Sequence, residues 1–176
     1  MKERISFMLA LFLLTMQSNA FAGDLSAGVF NSYKGFGICL NHNATEDIIN
    51  SYSLYADVSG MYDGTYRDAG VKLVYLHYNK LGTMDSGSAR YDLYLGPGAS
   101  TGYARDHASD KPGVILTADL GLAVMACFNR NIDLEFSMVA ELGFISGNSK
   151  GNTQIKIYNN GLLQALIPTF KIMYRF

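Results

Sequence analysis

From Leu166 to Phe176 every second side chain is apolar: Leu166, Pro168, Phe170, Ile172, Tyr174 and Phe176, with Ile167, Thr169, Lys171, Met173 and Arg175 between them. That is a period of two, which a strand displays and a helix does not. Three earlier segments repeat it. In 91–103 one face holds Tyr91, Leu93, Leu95, Pro97, Ala99, Thr101 and Tyr103, and the other holds Asp92, Tyr94 and small residues. In 116–128 Leu116, Ala118, Leu120, Leu122, Val124, Ala126 and Phe128 oppose a face that includes Thr117, Asp119 and Cys127. In 132–144 Ile132, Leu134, Phe136, Met138, Ala140, Leu142 and Phe144 oppose Asp133, Glu135, Ser137, Val139, Glu141 and Gly143. All four keep charge on one face. Shorter alternating segments fall at 51–60 and 71–80, and a break near Tyr33-Lys34-Gly35 divides 24–41 into strands at 25–32 and 36–41.

Strands greasy on one side and charged on the other suit a closed sheet whose outer face meets lipid and whose inner face lines a lumen. No stretch after residue 22 has the length and apolarity of a membrane-crossing helix, so a barrel is the one way for this chain to span a bilayer. The expectation is an all-β, closed, antiparallel up-and-down transmembrane barrel of eight strands, an even number being the rule for bacterial single-chain barrels. Only Asn129-Arg130-Asn131 separates two of the segments, a hairpin-length link. With that link placed in the periplasm, 42–50 and 81–88 become periplasmic turns, while 61–70, 105–112 and 147–161 become outer loops.

The N-terminus fits an exported chain. Lys2 and Arg4 precede an apolar run from Ile5 to Met16, and Ala20-Phe21-Ala22 offers small residues where a signal peptidase reads. Residues 1–22 are expected to be a cleaved signal peptide and 23–176 the barrel domain; 176 minus 22 leaves 154 residues, enough for one domain. Gly23 in place of Cys argues against a lipoprotein anchor. The formal charge of −1 becomes −2 once Lys2, Glu3 and Arg4 are removed, and a chain with no basic surplus has no footprint for nucleic acid. Tyr (12) and Phe (10) are plentiful, which suits aromatic girdles.

The closing segment Ile172-Met173-Tyr174-Arg175-Phe176 resembles the terminal signature of bacterial outer-membrane β-barrel proteins, with Phe170, Ile172, Tyr174 and Phe176 as its outward residues. By size and strand rhythm the chain is most similar to small eight-stranded barrels of the OmpA and OmpX type. The resemblance implies residence in the outer membrane of a Gram-negative cell, contact with outer-membrane lipid and lipopolysaccharide, and recognition by the barrel assembly machinery. Unlike the two-domain members of that group, this chain is expected to stop at the barrel, without a periplasmic peptidoglycan-binding domain. The resemblance names an architecture and no activity.

Eight strands enclose an interior that side chains can fill. The inward charges are expected to be Asp57, Asp92, Asp119, Asp133, Glu135 and Glu141 against Lys171, Arg175 and Lys72, forming a mutually satisfied network, since an unpaired buried charge is costly; a narrow ion path or ligand site is the alternative. Some barrels of this size hydrolyse acyl chains of lipid A with His and Ser two apart on one strand. Here Asn79 stands two past His77, so that nucleophile is missing. His42 and His107 fall in expected connections. No catalytic residue, cofactor or metal set is assigned: Asp106-His107 and Asp110 lack a zinc-type spacing. Cys39 and Cys127, on the second and sixth strands, are expected to be free lumen thiols, because a disulfide needs Cα atoms within about 7 Å. Pro97 and Pro168 are expected to sit at bulges.

Two functions remain open. One is a non-enzymatic outer-membrane barrel with a structural or surface-interaction role through its outer loops. The other is a lipid-modifying or lipid-binding barrel, deacylase-like, with His77 engaged at the wall. A soluble lipocalin-like barrel is the structural alternative, and it would carry its apolar face inward.

Overall fold

A computed structural model describes residues 25–32, 34–58, 69–87, 89–105, 112–128, 131–149, 152–158 and 168–176. The strands are β1 (Leu25–Ser32), β2 (Gly35–Thr45), β3 (Ile48–Asp57), β4 (Gly70–Ser86), β5 (Ala89–Arg105), β6 (Pro112–Cys127), β7 (Ile132–Ser149), β8 (Asn152–Tyr158) and β9 (Thr169–Arg175). Each of β1 to β7 pairs antiparallel with its successor, and β9 closes the ring by pairing β7 on one side and β1 on the other. The ring is therefore β1 to β7 plus β9. β8 pairs only with the outer half of β7, from Gly143 to Ser149, while β9 takes the inner half, from Ile132 to Ser137. The expected signal peptide 1–22, His107 and most of the expected outer loops lie outside the described residues.

Closure matters because no helix of the described residues is long and apolar enough to cross a membrane, and a sheet without edges satisfies its own backbone. The chain's last residues are drawn into the seal: the Phe176 N–H donates to the Leu25 carbonyl at 3.0 Å, and the Arg175 N–H to the Asn131 carbonyl at 2.8 Å.

Side chains divide as the alternation requires. Leu54, Leu73, Leu120, Leu142, Phe136 and Ile172 are among the apolar residues exposed on the outer surface, and Leu142 is 72% exposed. Inside lie Phe30, Tyr55, Leu76, Tyr78, Tyr94, Met125 and Met173, interleaved with serines, acids and lysines. Glycine makes room for the largest rings. A Cβ on Gly37 would lie 2.5 Å from the Phe30 ring, and one on Gly121 2.9 Å from the Tyr78 ring that reaches across to β6. Phe30 stacks on Tyr55 with centroids 5.6 Å apart. A smaller apolar cluster of Ala104, Ile115, Ile145 and Tyr158 packs where β8 joins β7.

Several boundaries differ from the sequence reading. The turn expected at 42–50 is two residues, Glu46 and Asp47, because β2 and β3 stay paired to Thr45↔Ile48. His42 therefore lies on a strand. β4 runs on to Ser86 in place of a turn at 81–88; a bulge between Lys80 and Gly82 lets it stay paired with β5. Part of the expected outer loop 147–161 is the β7–β8 hairpin, so the closed ring has the eight strands expected and β8 adds a ninth to the sheet outside it. Pro97 carries no bulge: it pairs with Leu120 on one side, and on the other the ladder passes from Leu76↔Gly98 to Asn79↔Leu95 in unchanged register. Pro168 sits just ahead of β9, where no ladder donor is needed.

Candidate functional site in the barrel lumen

The lumen holds a stack of ion pairs, two between the paired strands β7 and β9 and one reaching across the interior from β4 to β7. Near the inner end Arg175 Nη2 donates to Asp133 Oδ1 at 2.6 Å and its Nε to Oδ2 at 3.2 Å, a two-pronged contact between β9 and β7. Such fork geometry is among the stronger charge-assisted arrangements. Ser26 adds a third donor to Asp133 at 3.4 Å, and Arg175 Nη2 also lies 3.6 Å from Cys127 Sγ. Cys39 and Cys127 are both free thiols.

Higher up, Lys171 Nζ lies 2.8 Å from Glu135 Oε1, both side chains almost fully buried. That contact is off the hydrogen-bonding line, leaving Oε1 without a hydrogen bond, so the attraction is Coulombic. The directional bonds run elsewhere: Asn41 donates to Glu135 Oε2 at 3.2 Å and Lys171 to Ser51 Oγ at 3.2 Å. Above these, Lys72 forms a very short ion pair with Glu141. Its ammonium stands 5.9 Å from the ring centroids of both Tyr55 and Tyr158, so β8 closes over a cation that two aromatic faces also stabilise. Asp119 accepts from Thr117 at 2.6 Å, and Thr117 in turn meets Ser100 at 2.5 Å.

Asp92 belongs to a separate group at the inner rim. Thr83 donates to its Oδ1 at 2.5 Å and Arg90 Nε at 3.1 Å, while Lys80 Nζ is 3.8 Å from Oδ2. Lys80, Arg90 and Thr83 were missed by sequence reasoning. Lys80 shares the inward parity of Lys72 and was legible, whereas Thr83 turns inward only because the bulge resets the alternation. Asp57 ends β3 beside the β1–β2 turn. There burial pulls the Lys34 ammonium down to about 8, against the opposing pull of the Asp57 carboxylate.

The structure thus brings Asp133 with Arg175, Glu135 with Lys171 and Glu141 with Lys72, and keeps Asp92 in its own cluster. Phe170, Ile172, Tyr174 and Phe176 form one exposed outer stripe on and just past β9. Among the described residues Lys34, Tyr55, Lys72, Glu141 and Lys171 line a cavity of about 90 Å³ inside the barrel. Among the described residues no group of three or more His, Cys, Asp or Glu could hold a metal ion.

An apolar exterior around a charged, side-chain-filled interior is an outer-membrane-type β-barrel. No family model and no curated relative matches the sequence. Among solved structures the chain is similar to the N-terminal β-barrel domain of Pseudomonas aeruginosa OprF, at 14% identity and a TM-score of 0.47, over 87% of this chain and 96% of that one. A likeness that distant says nothing of activity.

Proposed function

We propose that this protein is a non-enzymatic integral barrel of the bacterial outer membrane, exported with residues 1–22 removed. It serves the envelope as a structural element that presents its outer connections and the β7–β8 hairpin to external ligands. One observation carries the reading: the barrel wears its large apolar side chains outside, while Glu135, Asp133 and Lys171 are almost completely buried within. A water-soluble barrel would reverse that division.

The paired lumen supports a structural role over conduction, since Lys72 and Lys171, which would attract an anion, are each already held by a carboxylate. The outer stripe of Phe170, Ile172, Tyr174 and Phe176 offers the barrel assembly machinery an aromatic strand to engage. On the wall, His77 bonds to Asn50 and has Asn79 two positions on, an arrangement without the serine an acyl hydrolase would need.

Folding into detergent micelles tests the reading. The folded protein should migrate differently on gels before and after boiling, and N-terminal sequencing of membrane-extracted material should begin at Gly23. A protein that stays monomeric and rich in β-structure in plain buffer would refute it. A change in lipid A acyl chains on expression, seen by mass spectrometry, would favour the lipid-modifying alternative.

A further inference from the structure

β1 stops at Ser32 and β2 starts at Gly35, so two residues make the whole connection. Register sets its height. Asn31 pairs with Phe170 and Phe170 with Phe136, and from there β7 runs on to Ser149 while β1 ends at the next residue. The wall is therefore lower at the β1–β2 turn than at the β7–β8 hairpin. The Val58 N–H donates to the Lys34 carbonyl at 2.8 Å and ties the turn to the end of β3.

Two recesses flank this turn. On the outer surface, among the described residues, Val29, Phe36, Ile38, Leu54, Val71 and Phe170 line an apolar groove of about 610 Å³. Ala56 deepens it, because it stands between Phe36 and Val71 in the ladder and is smaller than either. On the lumen side lies the cavity of about 90 Å³, where Lys34, Lys72 and Lys171 bring three ammonium groups against the one carboxylate of Glu141. Lys34 is half-buried. Burial pulls its ammonium down to about 8, Lys72 pushes the same way, and the opposing pull of Asp57 and Glu141 does not offset them. The group is charged at neutral pH, and its lost hydration is only partly made good by the acids around it.

The turn thus divides an apolar trough from a cationic recess, with Asn31 exposed at the trough and Ser32, the next residue, in the recess. A molecule that suits both sides joins an acyl chain to an anionic headgroup. We propose, given the membrane reading above, that the β1–β2 turn is a binding site for a membrane lipid with a phosphate headgroup, its chain in the groove and its phosphate over the turn against Lys34. Acyl chains bathe the outward wall of a barrel in any case, so only the headgroup has to be selected. An ammonium is a point-charge phosphate binder, and a turn at a strand end is within reach of the interface. A second copy or an apolar peptide would fill the groove and bring no anion to the lysines.

The chain has no tryptophan, so a single one can report on the lipid beside it. The mature chain carrying Phe36→Trp at the groove, or Phe144→Trp on β7, is inserted into mixed phosphatidylcholine and phosphatidic acid vesicles with one lipid or the other brominated. Dividing quenching by brominated phosphatidic acid by quenching by brominated phosphatidylcholine at equal mole fraction cancels depth. Phe36→Trp should show an enrichment of about fivefold, the effect of one lysine close to anionic lipid, and Phe144→Trp none. Lys34→Gln should abolish the enrichment while heat-modifiable migration is kept, and Lys34→Arg should retain it. Inorganic phosphate at constant ionic strength should leave it unchanged; its loss would assign the site to free phosphate and overturn the lipid. Equal values at the two tryptophans overturn the proposal even if Lys34→Gln fails to fold, and so does an enrichment that survives in folded Lys34→Gln. Insertion with equal values sinks this inference alone, whereas a chain that will not insert sinks the membrane reading with it.

Discussion

The lumen and the wall both hold polar groups, but of different kinds. Inside, the groups are ions: Asp133 and Glu135 meet Arg175 and Lys171 between β7 and β9, and Glu141 meets Lys72 across the lumen. Outside, the cluster at Asn50, Tyr75 and His77 is built on an amide and a phenol with one imidazole. The closed interior can supply each ion with a fixed counter-ion and several donors, which is the condition under which a buried charge is tolerated. The wall has no opposite surface of its own, so what it carries must be nearly neutral.

The largest effect expected from breaking this division is inside. Lys171→Met strands Glu135, which is 0% exposed, and should cost about 3–5 kcal/mol. Lys171→Met with Glu135→Leu should recover most of that loss, because an apolar pair leaves no orphaned charge. Urea-driven unfolding from vesicles, followed by gel migration, measures both; a double variant no better than the single would mean the pair does more than neutralise itself.

Moving an ion to the other side comes next. Leu120→Arg places a guanidinium on the exposed face of β6, where Leu120 is 53% exposed, and should destabilise by about 2–4 kcal/mol in bilayers. The same assay reads it. A neutral outcome would show that this face does not meet lipid.

The smallest effect concerns the mouth. Lys34 has its ammonium lowered to about 8 by burial, so the fold favours the neutral amine relative to the unfolded chain, where the ordinary value is 10.5. The stability this adds is therefore complete above 10.5 and lost as pH falls through about 8. Lys34→Met should flatten the stability profile between those limits, and NMR of the ¹³C-methylated amine should show a midpoint near 8. A midpoint near 10.5 would place Lys34 in open solvent.

How much was legible follows from the same contrast. Alternation alone separated the faces of β5, β6, β7 and β9, because side chains on a strand change sides with every residue and the acids all fell on one side. It also placed Asp133, Glu135, Glu141, Lys171 and Arg175 inward. It did not pair them, since a partner is chosen by register between strands distant in sequence: Glu135 meets Lys171 because β9 returns beside β7. Strand ends were misread where polar residues looked like turns. His42 and Asn43 continue β2, and 81–86 continue β4, because pairing with a neighbour outweighs weak local preference. Ile155 and Ile157 were assigned to a loop, yet the β7–β8 hairpin holds them in a strand.

The order of residues by itself settled the choice of period, the face that bears charge and the solvent each face suits, all of which depend on near neighbours along one strand. Which acid meets which base, where glycine must yield to a ring, and how Asn50 comes to lie between Tyr75 and His77 were decided only when the sheet closed. Those contacts join residues far apart in the chain, and their geometry is set by the stagger between strands, which no single strand encodes.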